Sequence, residues 1–275
     1  MADDALSAHF AAQEQQGGVE APPLQVVGVS KDYEVGDRIA HVIRDLTLTL
    51  HASEIVSIVG PSGCGKSTLL NVVSGLVPPT SGQVLWHGKA LKGVPSRAGY
   101  MLQKDLLLPW ATALENVLIG LDIQGVSRGV ARSKAVNMLD RLGLKGFADA
   151  YPSTLSGGMR QRVALARTLV TNPEVMLLDE PFAALDFQSK LLIENDTARL
   201  VRSEHRSVLL ITHDVEEAVS MSDRVLVLSQ RPTVVVRNYD IDLPGDRVDM
   251  MAARKSPLFQ DYVHSIWNNL QKPSV

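Results

Sequence analysis

Five short stretches of this 275-residue chain, 24–29, 55–59, 175–178, 208–211 and 225–228, hold no charged residue and are bounded by turn or polar residues. Uninterrupted apolar runs of that length suit strands covered on both faces, the situation of a parallel sheet. The segments between them carry a different period. Ala135, Met138, Leu139 and Leu142 fall at i, i+3, i+4 and i+7, with Gly143 where a helix-ending glycine belongs. Near the end, Ser256-Pro257 reads as N-cap and first-turn proline, ahead of a helix face of Phe259, Tyr262, Val263, Ile266 and Leu270 that suits packing better than partner binding. Strands alternating with helices predict an α/β fold, and no repeat at solenoid periods competes with it.

Composition removes several alternatives. The chain has 27 Lys+Arg against 30 Asp+Glu, a formal charge of −3, and no basic run breaks the mixture, so no nucleic-acid partner is expected. Apolar content of 45% and charged content of 21% fit a globular protein and poorly fit disorder, collagen or coiled coil. The single cysteine, Cys64, leaves no intrachain disulfide and no multi-cysteine zinc site, which points to a reducing compartment. The longest uncharged stretch, 67–88, contains Gly75, Pro78, Pro79 and Gly82 and is not expected to span a membrane. Residues 1–23, ending in Pro22-Pro23, lack the basic start and apolar centre of a secretory signal and read as a solvated tail.

The chemistry starts at the apolar run 55–59, which leads into Gly60-Pro61-Ser62-Gly63-Cys64-Gly65-Lys66-Ser67-Thr68 and then an apolar helix start. Strand, G-x-x-x-x-G-K-S and helix, in that order, match a P-loop. Its glycines let backbone N–H groups converge on phosphate oxygens, and the helix beginning near Lys66 adds its positive end. Lys66 is expected to reach the β- and γ-phosphates of a nucleotide, and the Ser67 hydroxyl to ligate Mg²⁺. Cys64 sits inside the loop as a small residue that fits, and its alkylation is still expected to block nucleotide. A second constellation, Glu174-Val-Met-Leu-Leu-Asp179-Glu180-Pro181, is an apolar strand ending in two adjacent carboxylates. Asp179 can take Mg²⁺ there, and Glu180, directed to the other side of the chain, can polarise an attacking water, a role worth roughly 10²–10⁴-fold in rate.

Leu155-Ser156-Gly157-Gly158-Met159-Arg160-Gln161 opens a helix containing Val163, Ala166 and Val170. Ser156 serves as its N-cap, and a Ser followed by two glycines at a helix N-terminus is also an exposed anion site. Together with the P-loop, this LSGGMRQ sequence resembles the signature motif of ATP-binding cassette (ABC) ATPases. The resemblance spans residues 24 to about 235 and implies the rest. The fold is then a P-loop NTPase (RecA-like) core with an inserted α-helical subdomain and an N-terminal antiparallel β portion. The ATPase domain runs over 24–240, its helical subdomain over about 107–160, and 241–275 form a C-terminal extension. Gln103 resembles the Q-loop glutamine that senses the γ-phosphate and Mg²⁺. Ala184-Leu185-Asp186 looks like the D-loop, His213 like the switch histidine at the γ-phosphate, and Tyr33 like the aromatic that stacks on adenine. Family members close head to tail in pairs, so Ser156, Gly157 and Gly158 of one copy would cap ATP held by Lys66 of the other.

The sequence Gln103-Lys-Asp-Leu106-Leu-Leu-Pro109-Trp110-Ala-Thr112, followed by Asn116-Val117, is similar to the nitrate/sulfonate/taurine branch of bacterial ABC importers. In such ATPases an apolar segment here meets the permease; Trp110 is equally readable as a buried anchor of the helical subdomain. Ile241-Asp-Leu-Pro244 also resembles that branch, but Gly245-Asp246 stands where a Pro-Arg pair is usual. The resemblance implies an ATPase at the cytoplasmic face of the inner membrane, taking ATP and Mg²⁺. Its partners would be a second ATP-binding subunit, permease subunits and, through them, an extracytoplasmic solute-binding protein. An exporter ATPase shares the same core. A soluble ABC protein acting on DNA or ribosomes would be expected to carry a coiled-coil insertion or tandem cassettes, which this sequence lacks.

Overall fold

The computed structural model describes residues 21–244 and 250–271; the expected tail up to residue 20 and the Gly245-Asp246 departure lie outside them. Two sheets organise the chain. The first is antiparallel, in the order β2-β1-β4-β5, from β1 (Leu24–Val35), β2 (Arg38–Leu50), β4 (Ser81–Trp86) and β5 (Lys89–Ala90). The second, in the order β10-β9-β3-β8-β7-β6, comprises β3 (Ile55–Val59), β6 (Ala98–Met101), β7 (Val175–Asp179), β8 (Ser207–Ile211), β9 (Arg224–Leu228) and β10 (Val235–Asp240). Its members run parallel except β10, which pairs antiparallel with β9.

Four of the five apolar runs lie in the parallel sheet, and β3, β7 and β8 are buried at every position. The run 24–29 does not. It belongs to β1 of the antiparallel sheet, where Leu24, Val26 and Val29 are buried while Gln25 and Val27 are partly exposed. Only one face of that strand is covered, which an antiparallel sheet tolerates and an apolar run alone does not reveal. The uncharged stretch 67–88 is split between α1 (Lys66–Val73) and β4, and no helix among the described residues is long and apolar enough to cross a membrane.

Helices α2 (Ala113–Ile123), α3 (Arg128–Arg141) and α4 (Gly157–Leu169) pack on one another and share a core with one side of the parallel sheet. A capping box starts α2, with Thr112 Oγ1 accepting from Glu115 N–H and the Glu115 carboxylate accepting from Thr112 N–H. Ala135, Met138, Leu139 and Leu142 are buried, and Gly143 takes φ 71° just past α3. On the other side of the sheet, α1 and the antiparallel sheet form a second core. A third lies under α6 (Val215–Met221) and α8 (Pro257–Gln271), where Phe259, Val263 and Ile266 are buried and Tyr262 and Leu270 pack alongside. The terminal helix is thus a packing element.

Between α5 (Phe187–Ser203), α6 and α7 (Met250–Ala253) lies a buried cluster of charges. The Lys190 ammonium is 2.6 Å from Asp214, 2.9 Å from Glu217 and 3.5 Å from Glu194. Arg254 reaches Glu194 at 3.2 Å and Glu216 at 3.7 Å. Two cations thus face four carboxylates. Burial, only partly offset by Lys190, holds the Glu194 and Glu217 carboxyls above their ordinary range. Burial alone would depress the Lys190 ammonium, but Glu217 and Asp214 override it and raise it. A carboxyl raised on folding contributes most below its unfolded value and loses that contribution as pH rises through its folded value. Glu217→Gln should therefore gain stability relative to the parent between pH 5 and pH 8, by on the order of 1–3 kcal/mol. Denaturant melts at the two pH values check this; an equal difference at both would contradict it.

Candidate functional site

Because β3, β8, β7 and β6 run parallel side by side, the segments after each emerge at one edge of the sheet. That edge receives the glycine loop after β3, Gln103 after β6, Asp179-Glu180 at the end of β7 and His213 after β8. The carboxyl edge of a parallel sheet is where α/β folds place ligands.

The loop Gly60-Pro61-Ser62-Gly63-Cys64-Gly65 turns into α1 at Gly65, whose φ of 131° is open to glycine. A Cβ there would lie 2.8 Å from Val42 Cγ1, so β2 presses directly on the loop. Ser62, Gly63 and Ser67 are exposed, and Thr68 is partly so. Lys66 curls its ammonium back into the loop, donating to Gly60 O at 2.8 Å and Pro61 O at 3.0 Å. Cys64 is only 2% exposed, its N–H is turned to Pro61 O, and it packs in the core between the sheets. Buried there, Cys64 packs as a small residue that fits the loop.

Asp179 is buried, and its carboxylate is hydrogen-bonded to the Ser67 hydroxyl. Burial raises its pKa, the Ser67 bond and the nearby Lys66 opposing this and the Glu180 charge adding to it. A carboxylate and a hydroxyl held together beside a phosphate-binding loop are the hard oxygen donors that Mg²⁺ takes, with its remaining positions left to phosphate and water. Among the described residues no group of three or more His, Cys, Asp and Glu side chains forms an alternative metal centre.

Glu180 sits one residue beyond β7 with φ 48°, a left-handed conformation that costs a non-glycine residue on the order of 1–3 kcal/mol. The turn separates the two carboxylates. Glu180 N–H is anchored on Ile211 O at 2.8 Å. Its Oε2 accepts from Gln103 Nε2 at 3.1 Å and lies 3.3 Å from His213 Nδ1. Gln103 therefore reaches Glu180 rather than the Asp179–Ser67 pair, and three of the sequence-selected residues converge on one oxygen.

The remaining candidates stand apart from this cluster. Ser156 caps α4, its Oγ accepting from Met159 N–H at 3.2 Å, and Gly157 and Gly158 follow it. A Cβ on Gly158 would come within 3.0 Å of Leu185 Cδ2, so the glycine pair rests on the segment leading to Asp186. Asp186 caps α5 by accepting from Ser189 N–H at 3.0 Å, a bond that holds its carboxyl below the usual range. Among the described residues, no hydrogen bond joins Ser156, Gly157, Gly158 or Asp186 to the loop at Lys66. Tyr33 is partly exposed under the Lys31 ammonium. It pairs with Ala40 on β2, two residues from the Val42 that touches Gly65.

Four residues of the site escaped the sequence reading in their roles. Thr233 donates its hydroxyl to Cys64 O and its N–H to Val42 O, tying the loop to β2 from below. Asn116, fully buried, donates its amide to Leu108 O, Ala111 O and Thr112 O and accepts from Leu108 N–H, stapling the segment 108–112. Arg167 on α4 donates to Asp105 O and Leu106 O, and Arg160 bonds the Asp105 carboxylate at 3.0 Å. The result leaves Trp110 73% exposed, so Trp110 is not a buried anchor; Leu102 and Leu106 are exposed as well. No local periodicity encodes these contacts; only the polarity of Asn116 within an apolar helix start hints at one.

A family model described as ABC transporter matches residues 43–183. The nitrate import ATP-binding protein NrtD of Synechocystis is 44% identical over 74% of this chain and 77% of its own length. The taurine import ATP-binding protein TauB of Rhizobium johnstonii is 38% identical over 82% and 87%. A solved dimeric structure of the ATP-binding cassette MJ0796, in a post-hydrolysis state with ADP and Pi, superposes with a TM-score of 0.74 at 32% identity, covering 80% of this chain and 99% of that one. Matched along most of its length in sequence and in shape, the chain belongs to the ABC transporter family, as an ATP-binding, ATP-hydrolysing cassette of the branch that includes these nitrate and taurine import proteins.

Proposed function

We propose that the chain energises a bacterial ABC importer for nitrate, a sulfonate, taurine or a similar small solute. The observation that carries the importer reading is the exposed Trp110, with the exposed Leu106, on the segment after Gln103 that Asn116 and Arg167 staple. An apolar patch pinned to a site residue suits a permease contact that must report on, and respond to, the state of that site. Similarity to NrtD and TauB supports the solute class. On this reading residues 24–240 are the ATPase domain, with a helical subdomain over about 107–160, seated at the cytoplasmic face of the inner membrane against permease subunits that an extracytoplasmic binding protein serves.

In the proposed mechanism the loop N–H groups from Gly60 to Thr68 and the start of α1 bind the phosphates of ATP, and Lys66 turns its ammonium from Gly60 O and Pro61 O to the β- and γ-phosphates. Tyr33 stacks on the adenine. Asp179 and Ser67, with Gln103 brought in from Glu180, would hold Mg²⁺, which when bound neutralises charge building between the β- and γ-phosphates. Glu180 accepts the proton of the attacking water, while His213 orients its Oε2. Ser156, Gly157 and Gly158 of a second copy cap the nucleotide, with Asp186 at the joint, giving a clamp that closes on ATP and opens after hydrolysis. The dimeric cassette MJ0796 supports the pairing of two copies.

Glu180→Gln should keep nucleotide affinity and lose roughly 10²-fold or more of ATP turnover; near-normal turnover would remove Glu180 as the base. Lys66→Ala should weaken nucleotide binding by about 10–100-fold, the worth of a charge-assisted bond, and unchanged affinity would undo the cradle. For the transport reading, the Glu180→Gln protein with ATP is used to capture partners from solubilised membranes of its source. Recovery of a permease with an extracytoplasmic binding protein supports import, a permease alone supports export, and only soluble partners would sink the transporter reading. Trp110→Ala in the same capture should weaken permease retention by about 30-fold, as loss of an interface anchor does.

A further inference from the structure

His213 has an exposed ring that meets Glu180 Oε2, so its aim depends on the backbone that carries it. On one side that backbone is fixed by the sheet, through Thr212 N–H on Ile58 O at 3.2 Å. On the other side it continues into Asp214, whose Oδ1 accepts from Glu216 and Glu217 N–H at the start of α6. The second oxygen of Asp214 is held by Lys190 at 2.6 Å. Lys190 itself stands one turn into α5, its N–H bonded to Asp186 O, in the helix whose N-cap segment supports Gly158 through Leu185. One largely buried ammonium thus joins the turn bearing His213 to the segment bearing Asp186.

We infer that Lys190 is a positioning residue for ATP hydrolysis, clamping the His213 turn to the Asp186 helix so that the switch side chain stays aimed at Glu180. The inference rests on the site reading given above. Four carboxylates, Asp214, Glu194, Glu216 and Glu217, converge where one would suffice to cap α6, and the C-terminal segment adds Arg254 to balance them. A purely packing role is better filled by apolar side chains of similar volume, since buried ion clusters are seldom a net source of stability. What a lysine adds is directional: three donors that hold three acidic groups on two helices in one geometry.

Removing Lys190 alone leaves Glu217 without a cation and Glu194 with Arg254 only, and threatens folding, so the decisive protein is Lys190→Met combined with Glu194→Gln and Glu217→Gln, in the full chain. It should melt close to the parent and hydrolyse ATP about tenfold more slowly, with KM for ATP within about twofold. Lys190→Arg, which keeps the charge, should recover most of the rate. In a His213→Ala background, adding the triple change should lower kcat by less than about twofold, because the residue being aimed is gone. A folded triple variant with parental kcat, or losses that multiply with that of His213→Ala, would overturn the inference while leaving the site reading intact. An unaltered rate in His213→Ala alone would overturn the site reading and the clamp with it.

Discussion

The parallel pairing of β3, β8, β7 and β6 is the constraint from which the site follows. β3, β7 and β8 are short runs buried on both faces, so both sides of the sheet must be covered, by helices on one and by α1 with the antiparallel sheet on the other, and each connection must return across the sheet in the same sense. The consequence is geometric. Segments from residues 60, 103, 180 and 213 emerge side by side although far apart in the chain. Polar groups gather at that edge because it is where backbone leaves the ladder and side chains regain water.

Two different electrostatic solutions sit on either side of this edge. At the loop, charge is held in reserve: Lys66 is satisfied by carbonyls that a stronger anion can outcompete, and Asp179 shares its buried position with a hydroxyl. Behind His213, charge is spent on geometry, in a cluster where carboxylates outnumber cations and burial discourages the ionisation of Glu194 and Glu217. The first arrangement exchanges partners easily. The second resists rearrangement, because separating any member leaves a buried charge without its counterpart.

Most of the site was legible because its signals are local. The loop from Gly60 to Thr68, the Asp179-Glu180 pair after an apolar strand and the Ser156 cap each lie within a few residues of chain, where spacing reports conformation directly. The antiparallel placement of 24–29 was not legible, since an apolar run covered on one face reads like one covered on two. The burial of Cys64 depends on Val42 and Thr233 meeting the loop from distant strands. Lys190 was invisible as an actor for a related reason: a charged residue on a helix looks like solvated surface until its partner 24 residues along the chain is known.

The pressure of Val42 and Thr233 on Gly65 also bears on the thermodynamics of binding. A glycine-rich loop free in solution would lose much conformational entropy when it closes on phosphates, and that loss would be subtracted from affinity. Here β2 and the turn before β10 already confine it, through a contact that leaves no room for a Cβ. The ordering cost is met once, when the two sheets dock during folding. Each catalytic cycle then begins with a rigid receptor, and the free energy of nucleotide binding remains available for moving the rest of the molecule.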